Sequence, residues 1–199
     1  MRRTHGNVQK HESSNPVQRK LIGAFHDQVV ALVRRAEPTC ILEVGCGEGY
    51  VLAELQRAGI DAEFMGVDLS ASAIEAARRR VAPPAELYIG DARNVRALFS
   101  GRRPDLVMVL EVLEHLEDPK AMLDDLAALT TCHVLLSVPR EPLFRGVNML
   151  RLKNVRRFGN DPEHINHWSA RAFVELVAQH FDIVVRAHAF PWTMVLARV

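Results

Sequence analysis

The sequence lacks the features that mark secreted, membrane-spanning and nucleic-acid-binding proteins. Its three cysteines, Cys40, Cys46 and Cys132, lie in or beside apolar runs without CxxC spacing, so buried free thiols are expected. No stretch of about 18 apolar residues is present, and the first residues are too polar for a signal peptide. The net charge is only +1, which gives no general attraction to DNA or RNA. These absences favour a cytoplasmic protein without a nucleic-acid partner.

What is present suits one ordinary globular domain, with 199 residues, 48% hydrophobic and 25% charged. We expect residues 1–14 to form a flexible arm and residues 15–199 to fold as the domain. Asn15 and Pro16 fit the cap and the first position of a helix over 16–36.

Beyond this helix, short apolar runs alternate with helical patterns. Strands are predicted over 40–45, 63–68, 86–90, 105–110, 133–138, 182–188 and 192–198. The predicted intervening helices include 50–58, one capped by Ser70, 92–99, 119–129 and 170–180. Such alternation predicts an α/β fold in which a single doubly wound, mostly parallel sheet of seven strands carries helices on both faces. The short link before the last strand makes that strand antiparallel.

Ligands of open parallel sheets bind at the carboxyl ends of the strands, and the informative residues fall there. The first strand ends in EVGCGEG at 43–49, where glycines allow the backbone to approach a ligand closely. Its GxGxG spacing differs from the GxGxxG of dinucleotide-binding folds. Asp68 ends the second strand, where a carboxylate can accept hydrogen bonds from ribose hydroxyls. A plain turn and a helix cap are the alternative interpretations, although Ser70 already suits the cap.

The next two strands end in similar signals. Gly90-Asp91-Ala92 follows the third strand, and a carboxylate there can receive the amino group of an adenine. The run EVLEHL over 111–116 follows the fourth strand. Four consecutive strand ends with polar or glycine signals point to a ligand site more strongly than any one of them.

Together, the runs ILEVGCGEG, GVDLS, GDA and DLVMVLEVLEHLEDP resemble the class I S-adenosylmethionine-dependent methyltransferases. The resemblance is to the small-molecule branch, which includes the ubiquinone-biosynthesis type of O-methyltransferase, and covers about residues 38–138 in motifs. It implies a Rossmann-like methyltransferase fold, S-adenosylmethionine as cofactor, and a small-molecule acceptor methylated at a hydroxyl oxygen. The cofactor contacts that it implies are Glu43, Gly45, Cys46, Gly47, Asp68, Leu69, Asp91, Ala92, Glu111 and Val112.

Three histidines are candidate catalytic residues. Removal of a proton from a hydroxyl acceptor is work for a general base, and His115, His164 and His167 are the candidates. Orientation of the cofactor and lining of the acceptor pocket are the alternative roles. His164 and His167 with Glu163 also resemble part of a metal site, but no further ligand cluster accompanies them, so we predict no metal.

Residues 139–168 interrupt the alternation. A strand-to-helix connection usually needs only about 2–6 residues, so we predict that this insertion forms the acceptor site and its lid. Residues 140–157 contain six basic side chains and one acidic one. Drawn as a helix, 140–158 has an apolar face opposite most of the cations, which suits an anionic membrane surface or an anionic or lipid-like acceptor. A solvated lid is the simpler alternative.

Two other function classes are the alternatives: a nucleic-acid methyltransferase, and a nicotinamide-binding oxidoreductase or a cofactor-binding protein without catalysis. A nucleic-acid methyltransferase is disfavoured because EVLE stands where base-modifying relatives carry an NPPY-like or DPPY-like motif. A nicotinamide-binding oxidoreductase is disfavoured by the GxGxG spacing and by the lack of a second catalytic domain. The sequence selects neither the acceptor nor an oligomeric state.

Overall fold

The computed structural model describes residues 14–140 and 165–199. His164, the predicted arm up to residue 13, and the cationic segment from residue 141 onward lie outside the described residues. No helix within the described ranges is long and apolar enough to cross a membrane.

The strands and helices follow the predicted order closely. The strands are β1 (Cys40–Val44), β2 (Glu63–Asp68), β3 (Ala85–Ile89), β4 (Leu106–Leu110), β5 (His133–Pro139), β6 (Asp182–Ala189) and β7 (Trp192–Arg198). The described helices are α1 (Pro16–Ala36), α2 (Tyr50–Arg57), α3 (Ala71–Arg80), α4 (Val95–Leu98), α5 (Pro119–Leu129) and α6 (Ala170–Val177). Two 3₁₀ turns, Ala92–Asn94 and Leu113–His115, follow the ends of β3 and β4.

The seven strands form one sheet in the order β3-β2-β1-β4-β5-β7-β6. Neighbouring strands from β3 through β5 pair in parallel, whereas β7 runs antiparallel to both β5 and β6. The predicted fold class and the antiparallel last strand are therefore confirmed. The strand order reverses between β1 and β4, and the carboxyl ends around this switch point are where such sheets bind ligands.

Each face of the sheet has its own apolar core, which fixes the strand ends relative to one another. Helices α1, α2 and α3 cover one face, with Phe25, Leu52 and Ile74 among the buried side chains. Helices α4, α5 and α6 cover the other, with Leu123 and Phe173 buried against the strands. Because both faces are covered, the parallel strands β1, β2, β4 and β5 are almost continuously buried, whereas the edge strands β3 and β6 are not.

Local signals placed most helix starts correctly, and the differences lie at helix ends. Asn15 caps α1 by accepting the Val17 N–H at 2.9 Å. The predicted helix 170–180 ends at Val177, because the last amides bond three residues back and tighten the final turn. The predicted helix 92–99 is instead a 3₁₀ turn followed by one α-helical turn.

Candidate active site

The glycine loop between β1 and α2 is bent by left-handed backbone conformations. Gly45, Gly47 and Gly49 have φ angles of 77°, 53° and 74°, which side-chain-bearing residues rarely adopt. Space is also restricted, since a Cβ on Gly45 would lie 2.4 Å from the Val112 side chain of the loop after β4. The amides of Gly45 and Cys46 both donate to the Val67 carbonyl, at 2.8 and 3.0 Å. These contacts hold the loop close to the carboxyl ends of β2 and β4.

Asp68 at the end of β2 is bonded directly to this loop. One carboxylate oxygen accepts the Gly47 N–H at 2.9 Å, and the other accepts the Ser70 N–H at 2.8 Å. Ser70 itself caps α3 through its hydroxyl, as predicted. An ionised carboxylate has about four acceptor positions, so Asp68 retains room for two further donors. Asp68 therefore couples the shape of the glycine loop to whatever it binds.

Glu43 is a buried carboxyl beneath the loop. It lies on β1 between Gly66 of β2 and Met108 of β4, and is only 3% exposed. Burial, and then the negative charge of Asp68, raise the pKa of Glu43 well above its usual value. Its Oε2 has no hydrogen-bond partner among the described residues. A buried carboxyl in this state is poised to ionise when a cation is placed beside it.

The Cys46 side chain turns away from the space above the loop. The thiol is 6% exposed, and its sulfur would lie 2.9 Å from a Cβ built on Gly66. Burial, followed by the charge of Glu43, raises the thiol pKa. Cys46 is thus a small core residue, and its backbone is the part nearest to a ligand above the loop.

The third strand end presents both polar and apolar groups. Asp91 accepts the Arg93 N–H at 2.9 Å and forms a 2.6 Å ion pair with the Arg93 guanidinium, and these bonds lower the Asp91 pKa. Ala92 is half-buried against the core. Leu69 and Ile89 are 66% and 54% exposed although they flank the ends of neighbouring strands. Exposed apolar side chains beside a carboxylate suit a flat apolar ring that carries a polar edge.

The fourth strand end is strained. Glu111 has a φ of 57°, a left-handed conformation that costs a non-glycine residue roughly 1–3 kcal/mol. Its amide donates to the Ser137 carbonyl at 3.1 Å, and its carboxylate accepts the indole N–H of Trp192 from β7. Trp192 lies 81 residues away in the chain, and no local sequence signal links it to this strand end. Val112, the next residue, packs over Gly45.

The chain returns to this same strand end after the insertion. The amides of Ile165 and Asn166 donate to the Glu114 carbonyl at 2.8 and 3.0 Å, and the Asn166 side chain donates to the Leu116 carbonyl at 2.6 Å. This docking brings the exposed His167 to the turn that carries the exposed His115. Glu114, in that turn, is only 1% exposed.

The two described ends of the insertion also meet. Arg140 and Trp168 form an isolated bridge beyond the end of β5. In the described part of the chain, no three His, Cys, Asp or Glu side chains are grouped so as to hold a metal ion. The described candidates therefore converge on the carboxyl ends of β1 to β4, with His167 at their margin.

Known proteins resemble this chain in sequence and in fold. An O-methyltransferase of ubiquinone biosynthesis from Coxiella burnetii is 35% identical over 91 residues, which are 45% of this chain and 38% of that protein. The chain thus matches well under half of this relative's length.

Solved structures share the fold over nearly the whole chain. Magnesium protoporphyrin IX methyltransferase from Synechocystis, with S-adenosylhomocysteine bound, has a TM-score of 0.71 at 20% identity, and the match covers 96% of this chain and 91% of that one. The N-methyltransferase NodS from Bradyrhizobium japonicum has a TM-score of 0.71 at 19% identity, covering 98% and 93% of the two chains. The model of a methyltransferase-domain family matches residues 17–185, most of the sequence. The chain belongs to this methyltransferase-domain family.

Proposed function

We propose that this protein binds S-adenosylmethionine at the carboxyl ends of β1 to β4 and transfers its methyl group to a hydroxyl oxygen of a small molecule. The observation that carries the proposal is the acidic character of the glycine loop. Glu43 and Glu48 are buried at 3% and 7% exposure, and Asp68 is bonded to the loop itself. Glu48 Oε2, like Glu43 Oε2, has no partner among the described residues.

Such a loop discriminates between nucleotide cofactors by charge. The pyrophosphate of a nicotinamide cofactor is anionic, and the Asp68 carboxylate and the buried Glu43 carboxyl offer it no compensating positive charge. S-adenosylmethionine instead presents a sulfonium and an ammonium group, both cationic. Buried carboxyls that each have an oxygen without a partner among the described residues favour the cationic cofactor, and the GxGxG spacing agrees with that choice.

The residues divide the cofactor between them. The adenosine part would use Asp68 for the ribose, the Asp91–Ala92 turn for the adenine amino group, and Leu69 with Ile89 for the ring. The methionine part would lie over Gly45 and Gly47, with Glu43 and Glu111 at its cationic end and Val112 closing the side. Cys46 would contribute its backbone.

The carbon on the sulfonium is already electrophilic, so the protein chiefly has to align the acceptor. Holding the two reacting atoms in line at about 3–3.5 Å is worth roughly 7–11 kcal/mol. The oxygen–carbon bond forms as the carbon–sulfur bond breaks, and the hydroxyl proton passes to a base. His167 is our candidate base, because Asn166 fixes its backbone beside the fourth strand end. His115, on the facing turn, is the alternative, and His164 lies outside the described residues.

Replacement of His167 tests the assignment of the base. We expect His167→Ala to lower the methyl-transfer rate at saturating cofactor by about 10²-fold, the lower end of the range for a general base. Affinity for S-adenosylhomocysteine should stay within twofold, because the exposed His167 lies at the margin of the strand ends and is not among the residues assigned to the cofactor. His188→Ala, an exposed histidine on β6, is the matched control. If His167→Ala retains the full rate, the base lies elsewhere.

A labelling experiment tests the acceptor class. The protein is incubated with methyl-labelled S-adenosylmethionine and separate small-molecule, protein and RNA fractions of a lysate. We expect label in the small-molecule fraction, on compounds that lose the label when their hydroxyl groups are blocked beforehand. Label confined to the protein or RNA fraction would contradict a small-molecule acceptor.

The raised pKa of Glu43 gives a separate prediction about stability. Since the folded-state pKa exceeds the unfolded value, the contribution of Glu43 to stability is complete below pH 4 or so and is lost as the pH rises through the folded pKa. Glu43→Gln has no such loss. We therefore expect the difference in melting temperature, variant minus parent, to increase as pH rises from 4 to about 8. The same variant should bind S-adenosylmethionine more weakly. If the melting temperatures of the two proteins change equally with pH, the ionisation of Glu43 does not destabilise the fold.

A further inference from the structure

We propose that Trp192 is a positioning residue that fixes the carboxylate of Glu111 for the cofactor. This inference rests on the proposed function, since it assigns to Glu111 a place at the methionine end. Trp192 begins β7, is 5% exposed, and directs its indole N–H to Glu111 across the end of the sheet. The two residues lie 81 positions apart in the chain, so only the folded sheet brings them into contact.

The residue type at position 192 supports this role. The rest of β7 up to Ala197 is buried, and apart from Thr193 its buried side chains carry no polar group. A tryptophan in such a strand introduces an N–H that needs an acceptor, because a buried donor without one destabilises the fold. Phenylalanine would fill much of the same space without that requirement. The function of the indole N–H is therefore to hold its acceptor, the Glu111 carboxylate, in place.

Glu111 in turn needs to be held. Its left-handed backbone is unfavourable, so an unrestrained residue would relax and move its carboxylate away. Two bonds from the antiparallel end of the sheet oppose this relaxation, since the Glu111 amide donates to Ser137 on β5 and the carboxylate accepts from Trp192 on β7. Strain that is maintained by surrounding contacts is typical of residues with a fixed task in a binding site.

Trp192 is itself immobilised from the helix side. The Phe25 ring of α1 meets the indole edge-on, with centroids 4.9 Å apart and an interplanar angle of 65°. Phe25 is 6% exposed and belongs to the same core cluster as Trp192. The contacts of Trp192 with Phe25 of α1 and with Glu111 thus connect the rigid core to the fourth strand end.

A double-mutant cycle separates positioning from simple packing. Binding of S-adenosylhomocysteine is measured by calorimetry for the parent, Trp192→Phe, Glu111→Ala and the double variant, with melting curves to verify folding. We expect Trp192→Phe to weaken binding about tenfold in the parent and less than twofold in the Glu111→Ala background, because the indole acts only through that carboxylate. Phe64→Leu, a buried core substitution near the amino end of β2 and away from Trp192, should lower the melting temperature but change the affinity less than twofold.

The contrary outcomes are distinct. If the parent binds S-adenosylhomocysteine and Trp192→Phe binds it equally well, the positioning role is wrong while the proposed function stands. An equal loss in both backgrounds would make Trp192 a structural residue that acts independently of Glu111. If the parent shows no binding, the proposed function fails and the inference fails with it.

Discussion

Asp68→Asn should weaken binding of S-adenosylhomocysteine by about 10³-fold while the protein stays folded. Two charge-assisted hydrogen bonds to the ribose hydroxyls are worth roughly 1.5–3 kcal/mol each, and their sum corresponds to a loss between about 10² and 10⁴. The substitution also disturbs the loop. In the parent, the Asp68 carboxylate accepts the backbone N–H groups of Gly47 and Ser70, whereas in the variant the side-chain NH₂ group would face one of these donors. Calorimetry with the purified variant measures the effect.

Asp61→Asn is a matched control, since Asp61 is exposed just before β2. To separate ribose contact from loop closure, the titration is repeated with an analogue that lacks the ribose 3′-hydroxyl. The parent should lose affinity for this analogue, whereas Asp68→Asn should bind both compounds about equally weakly. Unchanged affinity in a folded Asp68→Asn variant would overturn the placement of the cofactor.

Gly47→Val should abolish detectable cofactor binding. The position is buried and has a φ of 53°, a conformation that valine adopts only with strain. Its amide is the donor to Asp68, so a shift of the backbone would also release that carboxylate.

Gly59→Val separates backbone strain from this local effect. Gly59 has a similar positive φ of 74°, but a Cβ there meets nothing within 4 Å. Both variants should lose stability through backbone strain, of the order of 1–2 kcal/mol, as measured by urea unfolding. Only Gly47→Val should lose binding of S-adenosylhomocysteine. Normal binding by Gly47→Val would mean that the loop is a turn without a ligand above it.

The parts of the site that could be predicted from sequence are those encoded locally. The glycine loop and Asp68 stand at the ends of apolar runs, so their meeting at one edge of the sheet followed from the alternation of strands and helices. The caps Asn15 and Ser70 were also correctly anticipated, because capping depends on a few neighbouring residues.

The parts that could not be predicted depend on contacts between distant segments. Trp192 reaches Glu111 only because β7 lies beside β5, and strand order is not visible in local patterns. The ion pair between Arg93 and Asp91 and the exposure of Ile89 likewise depend on how side chains pack in the folded protein, which local patterns do not show. The Cys46 thiol faces the core because Gly66 leaves room for it on the neighbouring strand.

Calorimetric titration of the unmodified protein with S-adenosylhomocysteine, S-adenosylmethionine and NAD⁺ tests the central claim most directly. We predict saturable one-to-one binding of the first two compounds and no heat of binding from NAD⁺, because the acidic glycine loop offers a pyrophosphate no compensating positive charge. Binding of NAD⁺, or the absence of binding by both adenosyl compounds to a folded protein, would contradict the assignment of this site.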